Sequence, residues 1–376
     1  MDIKNRIYID NAASTQLLPE VVDSMLPFFN STFGNPSSTH FFGREAKSAI
    51  EISRKKIATL LNSAPNEIYF TSGGTESNNM ALRMVVESLN IKTLITSPIE
   101  HHSVLQTAES LTDIVDLLFV KVDENGTIDF NDLEELLKNN PKSLLSLMHA
   151  NNEIGNLLDI DKASELVEKY NAVFHVDAVQ TVGHYKVDLQ KLKNVHLMSA
   201  SSHKFHGPKG VGFLFIRKGL NLKSFIKGGA QGRKLRAGTE NISGIVGMTK
   251  ALELAYKDLN NRKTYIEGLK KQFSSNLNDA FPTLRINGEK GQSLYSVLNI
   301  SFPKHQISDM LSFSLDVNGI AVSSGSACAS GSNEVSHVLK AIGKNDGRPT
   351  VRFSFSFLNT QDELTTTINV LKSLMK

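Results

Sequence analysis

The sequence predicts an α/β protein: a large, mostly parallel sheet flanked by helices, followed by a smaller α/β unit. Three observations predict it. Short apolar runs alternate with segments of helical periodicity as far as residue 216. Those runs are apolar on both faces, as strands covered on both sides must be. After Gly238 the pattern changes to a long helical stretch and a second, smaller set of elements.

The elements follow in order. Residues 1–10 alternate polar and apolar side chains and read as a strand entering the fold, without the apolar core of a signal peptide or anchor. Residues 41–62 place Ala46, Ala49, Ile50, Ile57, Leu60 and Leu61 at helical spacing. A strand at 67–71, a glycine-rich turn and a helix from 75 to 87 come next. Apolar runs follow at 92–96, 117–122, 144–149, 172–176, 195–200 and 211–216, with helical segments such as 159–170 between them. One long helical stretch is expected over 242–277, as the hinge to the second unit. That unit comprises 297–302, 307–317, 320–322, 351–355 and a final helix at 362–376, and the N-terminal strand is expected to join it.

Composition narrows the function. Of 376 residues, 40% are hydrophobic and 21% charged, which suits a globular chain and excludes a disordered one. The net charge of +3 is small and its lysines and arginines are scattered, so no nucleic-acid surface is expected. A single cysteine excludes an intramolecular disulfide. No stretch approaches the roughly 20 apolar residues of a membrane span, so the cytoplasm is the expected compartment.

Five segments carry chemistry. In Thr71-Ser72-Gly73-Gly74-Thr75-Glu76-Ser77, two glycines sit between a strand and a helix, where backbone N–H groups and the helix dipole favour an anion such as phosphate. Neither the Gly-Lys-Ser/Thr of a P-loop nor the G-x-G-x-x-G spacing is present. A plain turn with Thr75 as helix cap is the competing reading. In His175-Val176-Asp177-Ala178-Val179-Gln180, an apolar strand ends in an acid at the carboxyl edge, where open α/β sheets bind ligands. Asp177 there either pairs with a protonated ring nitrogen or caps the next helix. Lys204, in a turn between two buried strands, is a candidate for an amine activated toward Schiff-base chemistry, with a surface lysine in an ordinary turn as the competing reading. Its neighbours His203 and His206 have no local carboxylate or cysteine at metal-ligand spacing, so no metal is expected. Cys328 lies among Ala, Ser and Gly in residues 323–332, flanks that suit a reactive thiol; a small buried hydrophobe is the competing reading. Arg352, inside a strand, needs a counter-charge, either a substrate carboxylate or a structural acid.

Together these segments resemble the cysteine desulfurases of the nitrogen-fixation and iron–sulfur-cluster type, in the class V aminotransferase family. The likeness runs over nearly the whole chain. It includes Tyr8-Ile9-Asp10-Asn11-Ala12-Ala13, Phe33-Gly34-Asn35-Pro36, Glu100-His101-His102, His149-Ala150-Asn151-Asn152-Glu153 and Arg236-Ala237-Gly238-Thr239-Glu240, besides the five segments above. The resemblance implies the pyridoxal-phosphate-dependent transferase fold type I. Its large domain, with a mostly parallel seven-stranded sheet, would span 14–257; the smaller one, 1–13 with 258–376, would carry the cysteine.

The resemblance also implies roles. Lys204 matches the lysine that holds pyridoxal 5'-phosphate, Asp177 the partner of its pyridine nitrogen, His101 the imidazole stacked on the ring, and Gln180 the donor to the phenolic oxygen. Gly74, Thr75, Ser201 and His203 match phosphate contacts. Thr239 matches one supplied by a neighbouring subunit, which implies a homodimer. Asn152 and Arg352 match the groups that hold the substrate carboxylate, with Asn11 beside them. Cys328 matches the nucleophile that takes sulfur from L-cysteine as a persulfide and passes it to a sulfur-acceptor protein. His101 is a candidate acceptor for the substrate thiol proton. An aminotransferase, or a selenocysteine or carbon–sulfur lyase of the same superfamily, would need no such thiol. Three departures stand out: Gly232 where relatives commonly carry Glu and Lys234 where they carry Gly; Phe355-Ser356-Phe357 where many have Leu-Gly-Arg; and an end at Lys376 without the longer tail that bears on scaffold docking.

Overall fold

The computed structural model describes residues 6–229, 235–288, 292–324 and 336–376. Strand β1 (Ile7–Tyr8) enters first. Seven strands then build the main sheet: β2 (Ile68–Thr71), β3 (Thr93–Thr96), β4 (Asp116–Phe119), β5 (Leu144–Met148), β6 (Val173–Asp177), β7 (Leu197–Ser201) and β8 (Gly212–Ile216). Their order is β2-β8-β7-β6-β5-β3-β4. Pairing is parallel from β7 through β4, and β8 runs antiparallel to both of its neighbours. The link from β7 to β8, residues 202–211, is shorter than the dozen or so residues a parallel crossover needs.

The period-2 alternation of strands explains why these runs read as apolar on both faces. Leu144, Leu197 and Leu214 pack into one buried cluster with the helix Gly74–Leu89. Their strand neighbours Leu145, Met198, Phe213 and Phe215 point the other way into a second cluster. Strand β4 departs from this pattern: it is the sheet edge, and none of its four residues is buried.

The second set of strands, β9 (Arg285–Asn287), β10 (Val297–Ser301), β11 (Ile320–Ala321), β12 (Ser323–Ser324) and β13 (Thr350–Ser354), is arranged differently. An antiparallel sheet runs β12-β13-β10-β9, and β1 pairs parallel with β11, so the N-terminal strand does join this unit. Phe273, Phe302, Phe353 and Phe355 form its aromatic core together with Ile9.

The single helix expected over 242–277 is instead two, Ile242–Lys257 and Leu259–Ala280. Asp258 leaves the helical basin (φ −123°, ψ 26°), and its carboxylate accepts a hydrogen bond from Asn261 Nδ2 at 2.7 Å. A short polar side chain that bonds locally competes with helix continuation. The break falls where the cores part: Ile245, Met248 and Leu252 pack with the main sheet, Ile266, Phe273 and Leu277 with the second.

Candidate active site

A cavity of about 400 Å³ opens at the carboxyl edge of the main sheet. Segments leaving β3, β5, β6 and β7 line it, the ligand position expected of open α/β sheets. Lys204 ends a 3-10 turn, Ser202–Lys204, directly after β7. Its Nζ donates to the carbonyls of Ala12 (2.7 Å) and Ala13 (2.9 Å). Gln180 Nε2 donates to the same Ala12 carbonyl at 3.0 Å. The N-terminal segment therefore seats the amine at the cavity wall.

Asp177 is the last residue of β6 and is buried. Its Oδ2 accepts from Asn78 Nδ2 at 2.7 Å and its Oδ1 from the Val179 N–H at 3.0 Å. Asn78 also donates to Ser103 Oγ at 2.8 Å. Sequence reasoning assigned Asn78 no role. Its place one helical turn after Gly74, on the same helix, is the signal that was there to find.

His101 caps the helix His102–Glu109. Its Nδ1 accepts the Ser103 N–H at 3.1 Å and lies 2.8 Å from Ser103 Oγ. Burial lowers its pKa; the Asp177 charge opposes this, while Lys204 and His102 add to it. In the neutral ring, Nδ1 is thus the accepting nitrogen and Nε2 carries the hydrogen. A ring in that tautomer presents a donor at Nε2.

Gly73 adopts φ +150°, a conformation suited to glycine, and turns β2 into the helix Gly74–Leu89. A Cβ on Gly74 would fall 2.7 Å from Val179 Cγ2, so the helix N-terminus approaches the Asp177–Gln180 segment closely. Gly74, Thr75, Ser201 and His203 all line the cavity. His203 Nδ1 lies 3.3 Å from Ser14 Oγ, and burial, helped by Lys204 and Lys209, lowers its pKa to about 4. His206 bonds elsewhere, through Nδ1 to the Gln16 carbonyl.

Arg352 has a structural acid as its counter-charge and also stands at the cavity. It lines the cavity, and its Nη2 is paired with Asp10 Oδ1 at 2.8 Å. Nη1 donates to the Asn152 carbonyl at 2.8 Å, and Nη2 to Ser323 Oγ at 3.0 Å. Asn152 lines the cavity too. Asn11 does not: its Nδ2 donates to the Ser354 carbonyl (2.9 Å) and Asn359 Oδ1 (3.2 Å). Asn11 therefore fastens the N-terminal segment to β13 and is not among the residues that line the cavity. Thr239 is exposed and outside the cavity of its own chain, and Cys328 lies outside the described residues.

Two buried acids were also unforeseen. Glu153 lines the cavity and accepts from Ser336 Oγ; burial raises its pKa to about 7 against the effects of Ser336 and Arg352. Glu100 lies beneath, accepting from Ser97 Oγ (2.7 Å) and the Met148 N–H (3.1 Å), and burial raises it to about 8. Both acids lie in turns that follow strands, where a polar residue carries no sequence signal of burial.

The class-V aminotransferase description matches residues 7–366. This chain belongs to that family. The cysteine desulfurase IscS of Dictyoglomus turgidum is 42% identical to it over 379 residues, covering 100% of this chain and 95% of that protein. A solved structure named NifS-like protein superposes with a TM-score of 0.91 at 36% identity, covering 98% and 99% of the two chains. Another, SspA in complex with cysteine, gives 0.80 at 32% identity, covering 93% and 99%. The class-V family is pyridoxal-phosphate dependent. The residues present fit that cofactor: a helix N-terminus behind Gly73 for its phosphate, the held Asp177 carboxylate for its ring nitrogen, and the Lys204 amine for its aldehyde carbon.

Proposed function

We propose that this chain is a cysteine desulfurase that converts L-cysteine to L-alanine and delivers the sulfur, through Cys328, to an acceptor protein. One observation carries the reading: Lys204, Asp177 and Arg352 share one cavity, and Ser323, bonded to Arg352, precedes the lone cysteine by five residues. Cys328 follows Ser324 by four residues, a span of at most ~14 Å when extended.

Pyridoxal phosphate, when bound, supplies an electron sink for charge released at the substrate α-carbon. Asp177, fixed by Asn78 and the Val179 N–H, is oriented to keep the pyridine nitrogen protonated. Lys204 Nζ takes the α-proton of the bound amino acid. Arg352 and Asn152 hold the substrate carboxylate, with Asp10 pre-orienting the guanidinium. His101, presenting Nε2–H, orients the cofactor and substrate. Cys328 Sγ, as thiolate, attacks the substrate sulfur. The carbon–sulfur bond breaks with its electron pair going to the β-carbon, which takes up one proton; the α-carbon regains the proton held by Lys204, alanine results, and Cys328 is left as the persulfide.

Residues 14–257 then hold the cofactor, and 1–13 with 258–376 bring the thiol. The working unit is a homodimer in which Thr239, exposed on its own chain, serves the partner's phosphate site. The exposed aromatic cluster of Phe33, Phe41 and Phe42 supports such a contact. Among the described residues no helix is long and apolar enough to cross a membrane, and a cytoplasmic enzyme is the reading in keeping with that.

The test is incubation of the pyridoxal-phosphate-loaded protein with L-cysteine, followed by mass analysis of the peptide that holds Cys328. One added sulfur is expected. Cys328→Ser should keep the cofactor's visible absorbance and release no sulfur; full sulfur release by that variant would favour a lyase.

A further inference from the structure

The smaller unit has a cavity of its own, of about 380 Å³, which shares no lining residue with the one at Lys204. Lys270, Lys271 and Ser274 of the helix Leu259–Ala280 line one side, and Asn287 of β9 and Tyr295 line the other. Lys270 is half-buried there. Its Nζ donates to Ser293 Oγ at 3.1 Å and to the Leu294 carbonyl at 2.9 Å, both neutral acceptors. Glu267, one turn earlier on the helix, pairs with Lys263 instead, at 3.6 Å, and among the described residues Lys270 makes no ion pair. The setting repeats that of Lys204, whose Nζ also donates to two neutral oxygens at a cavity wall.

A buried ammonium held only by neutral groups is disfavoured against the free amine. Burial accordingly lowers Lys270 to about 8, with the Glu267 charge opposing. Near neutral pH roughly a tenth or more of such amines are free, against about one in a thousand of ordinary lysines with a pKa near 10.4. Lys271, exposed and at the same cavity, adds a positive charge that favours an electrophile carrying negative charge.

We infer that Lys270 is an acylation site, its amine attacking the carbonyl carbon of a small acyl phosphate admitted by this second cavity. The nitrogen lone pair forms the new N–C bond. The carbon–oxygen bond to phosphate breaks with its electron pair on the leaving phosphate, which also takes the proton that the nitrogen gives up. The amide so formed keeps one N–H, so it cannot hold Ser293 and Leu294 together as the ammonium does. Those residues belong to a segment paired with the turn that follows Asn152 and Glu153: the Leu294 N–H donates to the Gly155 carbonyl at 2.6 Å, and the Leu157 N–H to the Gln292 carbonyl at 3.2 Å. Acylation therefore loosens the helix from a segment that adjoins the catalytic cavity.

The site is independent of the desulfurase reading, since neither the cofactor nor Cys328 takes part. Its test exposes the pyridoxal-phosphate-loaded protein to acetyl phosphate near neutral pH and follows acetylation of Lys270 and Lys271 by sequencing their peptide by mass. Lys270 is expected to acetylate about tenfold or more faster than Lys271, its excess of free amine outweighing its poorer access. In the urea-unfolded chain the difference is expected to vanish. Ser274→Phe, one turn further along the same cavity wall, is expected to slow Lys270 several-fold and leave Lys271 unchanged. Equal rates at the two lysines of the folded protein would overturn the inference. So would a preference that persists in urea, which belongs to the local sequence, or undiminished acetylation of Lys270 in a Ser274→Phe variant that melts as the wild type does.

Discussion

His101 illustrates how a single hydrogen bond decides a chemical role. Its residue type permits a base, a donor or a stacking ring. The Ser103 N–H on Nδ1 leaves Nε2 with the hydrogen and gives the ring a donor's face toward the cavity. A glutamine amide can place an N–H donor in much the same position but cannot take a proton. His101→Gln is therefore expected to keep desulfuration within about tenfold of wild type, whereas His101→Ala loses more. If glutamine proves as damaging as alanine, a proton-accepting histidine is indicated and the donor assignment fails; steady-state sulfide release checks it. Arg352 makes the same point for arginine: its pairing with Asp10 gives it the structural partner its burial demands while leaving it on the cavity wall.

At the scale of elements, the site exists because β2, β7 and β8 come unusually close at the turn that starts the helix Gly74–Leu89. Gly212, the first residue of β8, is the clearest sign. A Cβ there would sit 2.4 Å from the Ala200 carbonyl oxygen and 2.8 Å from Gly73 Cα, both backbone atoms that cannot swing aside. Gly212→Ala is expected to cost about 1–3 kcal/mol of stability, as overpacking does. It should also weaken pyridoxal-phosphate retention, because the displaced turn carries the helix N-terminus. Denaturant unfolding and cofactor titration measure the two effects; an unchanged midpoint would show that the strands can part at little cost. Gly74 is less constrained, since its nearest obstacle is a side-chain methyl of Val179.

For the molecule as a whole, buried titratable groups set the pH range of stability. Burial raises Glu100 to about 8 and Glu153 to about 7, above the ~4.3 of an unfolded glutamate. Each folded acid holds its proton after the unfolded one has lost it. Their stabilising effect is therefore complete below ~4.3 and is lost as pH rises toward 7 and 8. The buried His175 and the half-buried His149 and His203 act oppositely. His149 and His203 are lowered to about 4 and His175 to about 3, chiefly by burial, so stability is lost as pH falls below the ~6.5 of an unfolded histidine. Glu100→Gln keeps an oxygen to accept from Ser97 and Met148 but removes the ionisation. Relative to wild type its melting temperature should rise progressively between about pH 5 and pH 8.5, as scanning calorimetry would show. A pH-independent difference would mean that Glu100 ionises freely in the folded protein.

The sequence by itself determined the fold class, the order of strands and helices, and the segments that meet at the site. Short two-sided apolar runs, glycines between strand and helix, and acids or lysines at strand ends are local signals, written within a few neighbouring residues. That is why Lys204, Asp177, Gly74 and Arg352 were legible in advance, and why the ends of most strands were found to within a few residues. Tertiary structure alone decided what depends on distant partners. It turned Asn11 toward Ser354 and Asn359, more than three hundred residues along the chain. It split the long helix where two cores compete for it, left β4 at an edge, and set Asn78 behind Asp177. It also buried Glu100 and Glu153, whose protonation follows from the loss of water around them and not from any pattern in their neighbours.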